Sequence, residues 1–369
     1  MLQGIRIIEI EGLGPGPFAA MMLADLGANV ICVHRKGKKA GGMAPPDAIL
    51  DRGKRSIALD LKDPDDVAIL LQLIETADGL IEGFRPGVME RLGLGPEICH
   101  ARNGGLIYGR MTGWGQNSAF AHMAGHDLNY IAMSGALWHS SPADVPPFAT
   151  PTLIGDIGGG ALYLVAGLLA ALLARPDKSH GGCVVDAAIY DGSAHMMNLL
   201  MTLQQAGHFG HARGANLLDG PHWSRTYVCS DGAYISVQCL EPPFYATFLD
   251  RLGLADDPEF AHQYDKTLWP RLTARLAGLF ASHTQDHWAT LFQGTDACVA
   301  PVLSPEAAAQ HPMNDRRTWI TSEVGLQAAP APRFTKVGEA EPEGWTPPKS
   351  PKRGEHTAAI LDELRKLRR

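Results

Sequence analysis

The sequence predicts a doubly wound α/β sheet with parallel strands, together with a second, smaller α+β domain. Apolar segments of strand length alternate with segments of helical periodicity over the first part of the chain, which is typical of βαβ units. Beyond about residue 225 the pattern changes to a hairpin followed by helices. A chain of 369 residues is long enough to bury a large core in such an arrangement.

The chain opens with a strand, a tight turn rich in Gly and Pro, a helix and a second strand. These elements are expected at 5–10, 12–17, 18–26 and 29–34. The βαβ unit implies a parallel sheet with a right-handed crossover. Its turn is similar to a dinucleotide fingerprint, but Pro15 and Pro17 interrupt the glycines and no acidic residue ends the second strand. NAD binding is therefore not favoured.

Further strands and a helix continue the alternation, and Asp63 or Asp65 is expected to cap the helix. These elements are predicted at 56–61, 64–77, 79–82 and 106–111. Ligands in such sheets bind at the carboxyl ends of the strands.

The later part of the chain has a different composition. A long apolar helix is predicted at 188–206, followed by an antiparallel hairpin with an Asp231-Gly232 turn. Three helices, a Pro-rich extended return and a terminal helix complete the chain. The helices are expected at 243–252, 268–281 and 285–293, the Pro-rich return at 328–332 and 342–351, and the terminal helix at 357–367.

Composition argues against several classes of protein. The formal net charge of −7 disfavours a nucleic-acid partner, which would require a basic face. Six cysteines without C-x-x-C spacing indicate neither a disulfide framework nor a zinc site, so no metal is expected. The first residues lack a signal-peptide pattern. We therefore expect a cytoplasmic protein.

One apolar run, residues 157–174, has 18 residues without a charge, which is the lower limit for a membrane span. The run opens with glycines, ends before Arg175-Pro176 and lies in a chain of mean hydropathy −0.06. We expect a buried core helix and no membrane association.

Three side chains are candidates for proton transfer. His126 and Asp156 are polar residues in apolar surroundings, and Asp156 is expected to open a Gly-rich helix. Asp156 would be either an N-cap, worth on the order of 1 kcal/mol, or a carboxylate beside a closely approaching ligand. Glu241 follows an apolar strand. A carboxylate that reached His126 would fix the tautomer of the imidazole and raise its basicity.

Basic residues concentrate in three early loops at the ends of the predicted strands, where phosphates bind in this architecture. They indicate either a solvated face or a shared polyphosphate site. Methionines near the same motifs are either core residues or a flexible wall for varied acyl chains. The basic residues are Arg35, Lys36, Lys38, Lys39, Arg52, Lys54, Arg55, Lys62, Arg85 and Arg91, and the methionines are Met111, Met123, Met133, Met196, Met197 and Met201.

Several long motifs follow one another along nearly the whole chain. They are Gly12–Pro17, Glu82–Gly87, Glu90–Gly95, Met111–Gln116, Ala124–Tyr130, Gly155–Gly159, Arg213–Asn216 and Asp296–Val299. Together they resemble the family III CoA-transferases, and specifically their α-methylacyl-CoA racemase branch.

The resemblance implies a Rossmann-like large domain built from both chain ends and a small domain joined to it by two linkers. The implied boundaries are 1–187 for the CoA-binding large domain, 188–224 for a linker, 225–310 for the small domain, 311–330 for a linker and 331–369 for the return. It also implies an interlocked homodimer, with the active site between the large domain of one subunit and the small domain of the other.

The resemblance assigns catalytic roles to His126, Asp156 and Glu241. It also implies a CoA-binding set that contacts the acyl-CoA substrate, and no cofactor, since CoA is part of the substrate. That set is Lys38, Lys62, Gly83, Arg85, Arg91 and Tyr130.

The activity that the resemblance implies is inversion at C2 of 2-methyl-branched acyl-CoA thioesters, by deprotonation to an enolate and reprotonation on the opposite face. Backbone N–H groups that open the Asp156 helix are expected to stabilise the enolate oxygen. The alternative is CoA transfer between acids, with Asp156 as the nucleophile that forms an acyl-enzyme anhydride. The sequence lacks the Gly-rich loop between 200 and 260 that many such transferases carry. It does not determine the acyl chain.

Overall fold

The computed structural model describes residues 1–37, 48–175, 177–316, 318–340 and 344–367. The chain divides into two compact units. The larger unit comprises Met1–Leu137, Ala149–Met196 and Pro312–Arg369, and the smaller one Trp138–Phe148 and Met197–His311. The smaller unit thus extends beyond 225–310, the range predicted for the small domain.

The strands, in chain order, are β1 (Arg6–Ile10), β2 (Asn29–Arg35), β3 (Arg55–Leu59), β4 (Gly79–Glu82), β5 (Ile107–Thr112), β6 (Cys183–Ala188), β7 (Ser224–Val228), β8 (Tyr234–Gln238), β9 (Val299–Val302), β10 (Trp319–Ser322) and β11 (Gly325–Ala328). The helices are α1 (Pro15–Asp25), α2 (Pro64–Glu75), α3 (Val88–Arg91), α4 (Pro96–Arg102), α5 (Asp127–Ser134), α6 (Leu162–Ala174), α7 (Ile189–Met196), α8 (Asn198–Gln205), α9 (Pro242–Arg251), α10 (Trp269–Phe280), α11 (Gln285–Phe292), α12 (Pro305–Gln310) and α13 (Thr357–Leu367).

A parallel sheet of six strands, in the order β3-β2-β1-β4-β5-β6, forms the centre of the larger unit. The predicted α/β class is confirmed. The strand order reverses between β1 and β4. In doubly wound sheets the crevice beyond the carboxyl ends of two such strands is the usual ligand site.

Two hydrophobic cores cover the two faces of this sheet, because successive side chains of a strand point to opposite sides. Ile8 and Ile10 of β1 lie in one core, with α2 and α13. Ile7 lies in the other core, with α1 and α6. Asp63 caps α2, since its carboxylate accepts the Asp65 N–H at 3.0 Å.

The smaller unit is built on the antiparallel sheet β7-β8-β9, and its β7–β8 hairpin turns at Asp231-Gly232 as predicted. Trp223, Phe248 and Phe280 are fully buried in its core. The prediction of one long apolar helix at 188–206 is wrong, because the chain forms two shorter helices, α7 and α8, that meet at Met197.

A helical stretch, Leu153–Ala174, is long and apolar enough to cross a membrane, and 33% of its most apolar 18 residues is buried. One such helix is weak evidence for a membrane span, because a core helix of a soluble protein passes the same test. Its first nine residues, Leu153–Ala161, form a π-helix that continues into α6.

Candidate active site

The π-helical segment brings Asp156 to the carboxyl end of β1. The Asp156 Oδ2 lies 3.6 Å from the position that a Cβ atom on Gly14 would occupy, in the turn after β1. The helix starts at Leu153 and its N-cap is Thr152, so Asp156 is not the N-cap that the sequence allowed. Asp156 is half-buried beside the crevice where the strand order reverses.

His126 is the N-cap residue of α5, and its side chain is exposed. Its backbone N–H donates to Asn129 Oδ1 at 3.1 Å, which fixes the start of the helix. Asp156 lies close enough for the charge of His126 to affect its pKa. The structure therefore brings together two of the three predicted catalytic residues.

Asp127, the first residue of α5, connects these two side chains. Its buried carboxylate accepts the backbone N–H of Asp156 at 2.7 Å. The Ile157 N–H donates to Thr152 O at 3.1 Å. The N–H groups of Asp156 and Ile157 thus have acceptors already, and they are not the enolate-stabilising donors that the sequence suggested.

The pKa of Asp156 is raised from 3.8 to about 6. Burial is the main cause because it penalises the charged form, and the negative charge of Asp127 adds to it. The nearby His126 acts in the opposite direction. A carboxyl group with this pKa can both accept and donate a proton near neutral pH.

Tyr130 packs against the loop that precedes His126. Its hydroxyl donates to Gly125 O, and its ring meets Trp114 edge-on with the centroids 4.7 Å apart. A Cβ atom on Gly113 would stand 2.1 Å from the Tyr130 ring, so only glycine fits there. The pKa of Tyr130 is raised by burial and by the charge of Asp156, and Arg85 opposes the shift.

A buried carboxylate braces the segment after β4. Glu82 Oε2 accepts the Phe84 N–H at 2.7 Å, and Glu82 Oε1 is 3.0 Å from Arg110 Nε. Arg110 Nη2 lies 2.9 Å from Glu90 Oε1 of α3. Burial raises the pKa of Glu82.

These contacts of Glu82 and Arg110 hold the segment that carries Gly83, Arg85 and Arg91, all three of which are exposed. Glu82 begins one of the motifs that carry the resemblance, but the sequence predicted no role for Glu82 or Arg110, although a charged residue inside a buried strand is a signal that it needs a partner.

The predicted basic loops divide into two groups. Arg52 pairs with Asp25 at 2.5 Å, Lys54 with Glu9 at 2.6 Å and Arg55 with Glu363 at 2.5 Å. The sequence left a solvated face and a polyphosphate site open for these three cations, and their ion pairs favour a structural role instead. Lys62 is exposed at the end of β3, and Lys38 lies outside the described residues.

Within the described residues, one group of side chains is close enough to share a metal ion. Cys32, His34 and Asp51 have potential ligand atoms within 4.8 Å of one another. The Lys54 ammonium, however, lies 3.6 Å from Asp51 Oδ1 and supplies a positive charge there. We assign this group to the ion-pair network of Lys54.

Glu241, the third predicted catalytic residue, belongs to the smaller unit. It is the exposed N-cap residue of α9, directly after the strand β8 and Cys239-Leu240. The larger unit by itself contains His126, Asp127 and Asp156.

Comparison with known proteins identifies the family. The sequence profile of CoA-transferase family III matches residues 2–357. The chain belongs to CoA-transferase family III. Alpha-methylacyl-CoA racemase of Mus musculus is 40% identical over 366 residues, which are 98% of this chain and 93% of the relative. Acetyl-CoA:oxalate CoA-transferase of Acetobacter aceti is 30% identical and covers 98% and 95% of the two chains.

A solved structure supports the same fold for this family III chain. The crystal structure of a CAIB/BAIF family protein from Brucella suis matches it with a TM-score of 0.79 and 27% identity, over 98% of each chain. The match covers both units and so includes the strands that carry the candidate site. The relatives include both a racemase and a transferase, so the choice between these reactions depends on the site.

The close contact between Gly113 and Tyr130 can be tested by Gly113→Ala. The added methyl group forces the Tyr130 ring to move, which should lower the free energy of unfolding by about 1–3 kcal/mol and change the fluorescence of Trp114. Gly278→Ala is the control, because a Cβ atom there meets nothing within 4 Å. Equal thermal unfolding and fluorescence of both variants and the unmodified protein would show that the contact is unimportant.

Proposed function

We propose that this chain is a racemase that inverts C2 of 2-methyl-branched acyl-CoA thioesters. The observation that carries the proposal is the placement of His126 beside a half-buried Asp156 whose pKa is raised to about 6. Proton transfer in both directions requires two groups that change protonation readily near neutral pH. The similarity to the mouse racemase over 98% of the chain supports the same reaction.

In the proposed mechanism, His126 removes the α-proton of one epimer and Asp156 returns a proton to the opposite face. The roles reverse for the other epimer. Positioned acid and base groups of this kind contribute roughly 10²–10⁴-fold to the rate. The reaction requires no cofactor besides the CoA moiety of the substrate.

The enolate oxygen needs hydrogen-bond donors in place of the N–H groups of Asp156 and Ile157. The amino end of α5 supplies candidates, because the first N–H groups of a helix have no acceptor within the helix. Those of Asp127 and Leu128 directly follow His126. One such donor is worth roughly 10²–10³-fold in rate.

For substrate binding we propose that Arg85, Arg91, Lys62 and Lys38 hold the CoA phosphates. Gly83 and Tyr130 complete this CoA-binding set beside the crevice. Methionines of the larger unit suit a wall for varied acyl chains, since thioether side chains adapt their shape. Among the methionines predicted to line such a wall, Met123, Met133 and Met196 of the larger unit have exposed side chains.

We further propose that the active enzyme is an interlocked homodimer. Leu173 of α6 is 87% exposed in the single chain, and Leu153, Leu162 and Leu199 are also exposed. Exposed apolar side chains in this number suit a surface that another subunit covers. In such a dimer Glu241 of the partner subunit would orient His126.

We also propose a cytoplasmic location. All six cysteines are free, and Cys32, Cys99, Cys229 and Cys239 are buried. Free thiols are typical of a reducing compartment.

The competing function is CoA transfer between acids, with Asp156 as the nucleophile. The transferase relative from Acetobacter aceti keeps this reaction open. The raised pKa of Asp156 fits a role in proton transfer. A nucleophilic carboxylate must be ionised, so a neighbouring carboxylate that raises its pKa would not help it.

Exchange of the C2 proton with solvent tests the proposed reaction. In heavy water, either epimer of a 2-methylacyl-CoA thioester should yield both epimers with deuterium at C2, measured by NMR and chiral chromatography. A screen across several acyl chains would define the substrate. A new thioester with an added free acid, formed without C2 exchange, would identify a transferase and contradict the racemase.

Mixed dimers test whether Glu241 acts across subunits. His126→Ala and Glu241→Ala should each be inactive, but co-expressed subunits should form heterodimers that regain activity, because one of their two sites has both residues. A heterodimer that carries both changes in one subunit should stay inactive, because neither of its two sites then has both residues. Failure of the first heterodimer to recover activity would show that Glu241 does not act across subunits.

A further inference from the structure

We propose that Asp127 is a positioning residue for Asp156: its carboxylate holds the turn that carries Asp156 and applies a negative charge to the Asp156 carboxyl group. The inference rests on the proposed racemase function. It gives a role to a buried charge that the proposed proton-transfer steps do not use.

The geometry supports the positional part of this role. The Asp127 carboxylate accepts the backbone N–H of Asp156 at 2.7 Å. Because Asp127 directly follows His126 in the chain, one side chain links the two proposed acid–base groups. This hydrogen bond is therefore one of the contacts that set the distance between these groups.

The chain accommodates this carboxylate at very close range. A Cβ atom on Gly155 would stand 2.4 Å from Asp127 Oδ1 and 2.9 Å from Ile131 Cγ2. Any larger residue at position 155 would push the Asp156 turn away from α5. Gly155 is thus needed for the contact between the two segments.

The charge of Asp127 has no neutralising partner in the described parts of the chain. Asp127 is only 7% exposed, and none of the ion pairs among those residues includes it. An unpaired buried carboxylate disfavours a second negative charge nearby. This is the direction in which Asp127 acts on the pKa of Asp156.

The other charged groups around Asp156 do not replace this effect. On α5, His126 opposes it, and Tyr130 is affected by both Asp156 and Arg85. The π-helix also packs against α1, α6, α7, β5 and β6. None of the charged or ionisable side chains on those elements contributes to the Asp156 shift; they are Asp25, Tyr108, Arg110, Tyr163, Cys183, Asp186, Tyr190, Asp191 and His195.

The functional consequence concerns the balance of the two reaction directions. An aspartate ordinarily titrates near 3.9. With its pKa raised to about 6, Asp156 can be both ionised and protonated near neutral pH. It can therefore act as the base toward one epimer and as the acid toward the other.

The test is Asp127→Asn, which retains an oxygen acceptor for the Asp156 N–H but removes the charge. Epimerisation in water is followed from pH 4.5 to 9 with each epimer. For the epimer that Asp156 deprotonates, the acid limb of kcat/KM should move to lower pH by on the order of one unit. The KM for the acyl-CoA should change little.

Asp127→Ser serves as a second uncharged variant in case the first does not fold. Asp78→Asn is the control. Like Asp127, Asp78 is buried and accepts a backbone N–H, that of Arg6 at 2.9 Å. Unlike Asp127, it lies before β4 at the amino edge of the sheet, away from Asp156. The control should lower stability and leave the pH profile unchanged.

The outcomes separate this inference from the proposed function. If the unmodified protein does not epimerise any 2-methylacyl-CoA, the proposed function is wrong and the inference falls with it. If the unmodified protein is active but both uncharged, folded variants keep its pH profile, the inference alone is overturned. A uniform loss of rate without a shift would likewise assign Asp127 a purely structural role.

Discussion

The hydrogen bond from the Asp156 N–H to the Asp127 carboxylate constrains the whole candidate site. It holds the π-helical turn against the amino end of α5, two segments that are 29 residues apart in sequence. His126 precedes Asp127, so the same contact helps to set where both proposed acid–base groups lie. The contact also places a buried negative charge beside Asp156, which adds to the effect of burial on the pKa of Asp156. Asp127 therefore contributes to both position and acidity at this site.

The sheet supplies the platform on which this contact forms. Its strand order reverses between β1 and β4, and the turn at Gly14 after β1 lies next to Asp156. After β4, the buried Glu82 and Arg110 fix the segment that carries the exposed arginines. Among the described residues, each buried charged group of this platform has either a partner or a backbone donor, which limits the cost of burying it.

The sequence predicted the secondary structure well where the hydrophobic periodicity and the turn residues were clear. The strand at 79–82 and the terminal helix at 357–367 match the structure, and the α/β class follows from their alternation. It was a poor guide around Asp156, because a π-helix has no periodicity of its own in sequence, and α5 has only eight residues. The sequence also does not reveal which charges pair. Arg52 and Lys54 are basic loop residues that could bind phosphate, but in the structure they pair with Asp25 and Glu9. The role of Glu241 still rests on the resemblance.

The central claim is that His126 and Asp156 act on opposite faces of one substrate carbon. The most direct measurement is exchange of the C2 proton in heavy water by His126→Asn and Asp156→Asn, each with both epimers. Each variant should exchange the proton of one epimer only, the two variants should choose opposite epimers, and neither should invert C2. Exchange of the same epimer by both variants, or inversion by either one, would contradict the account.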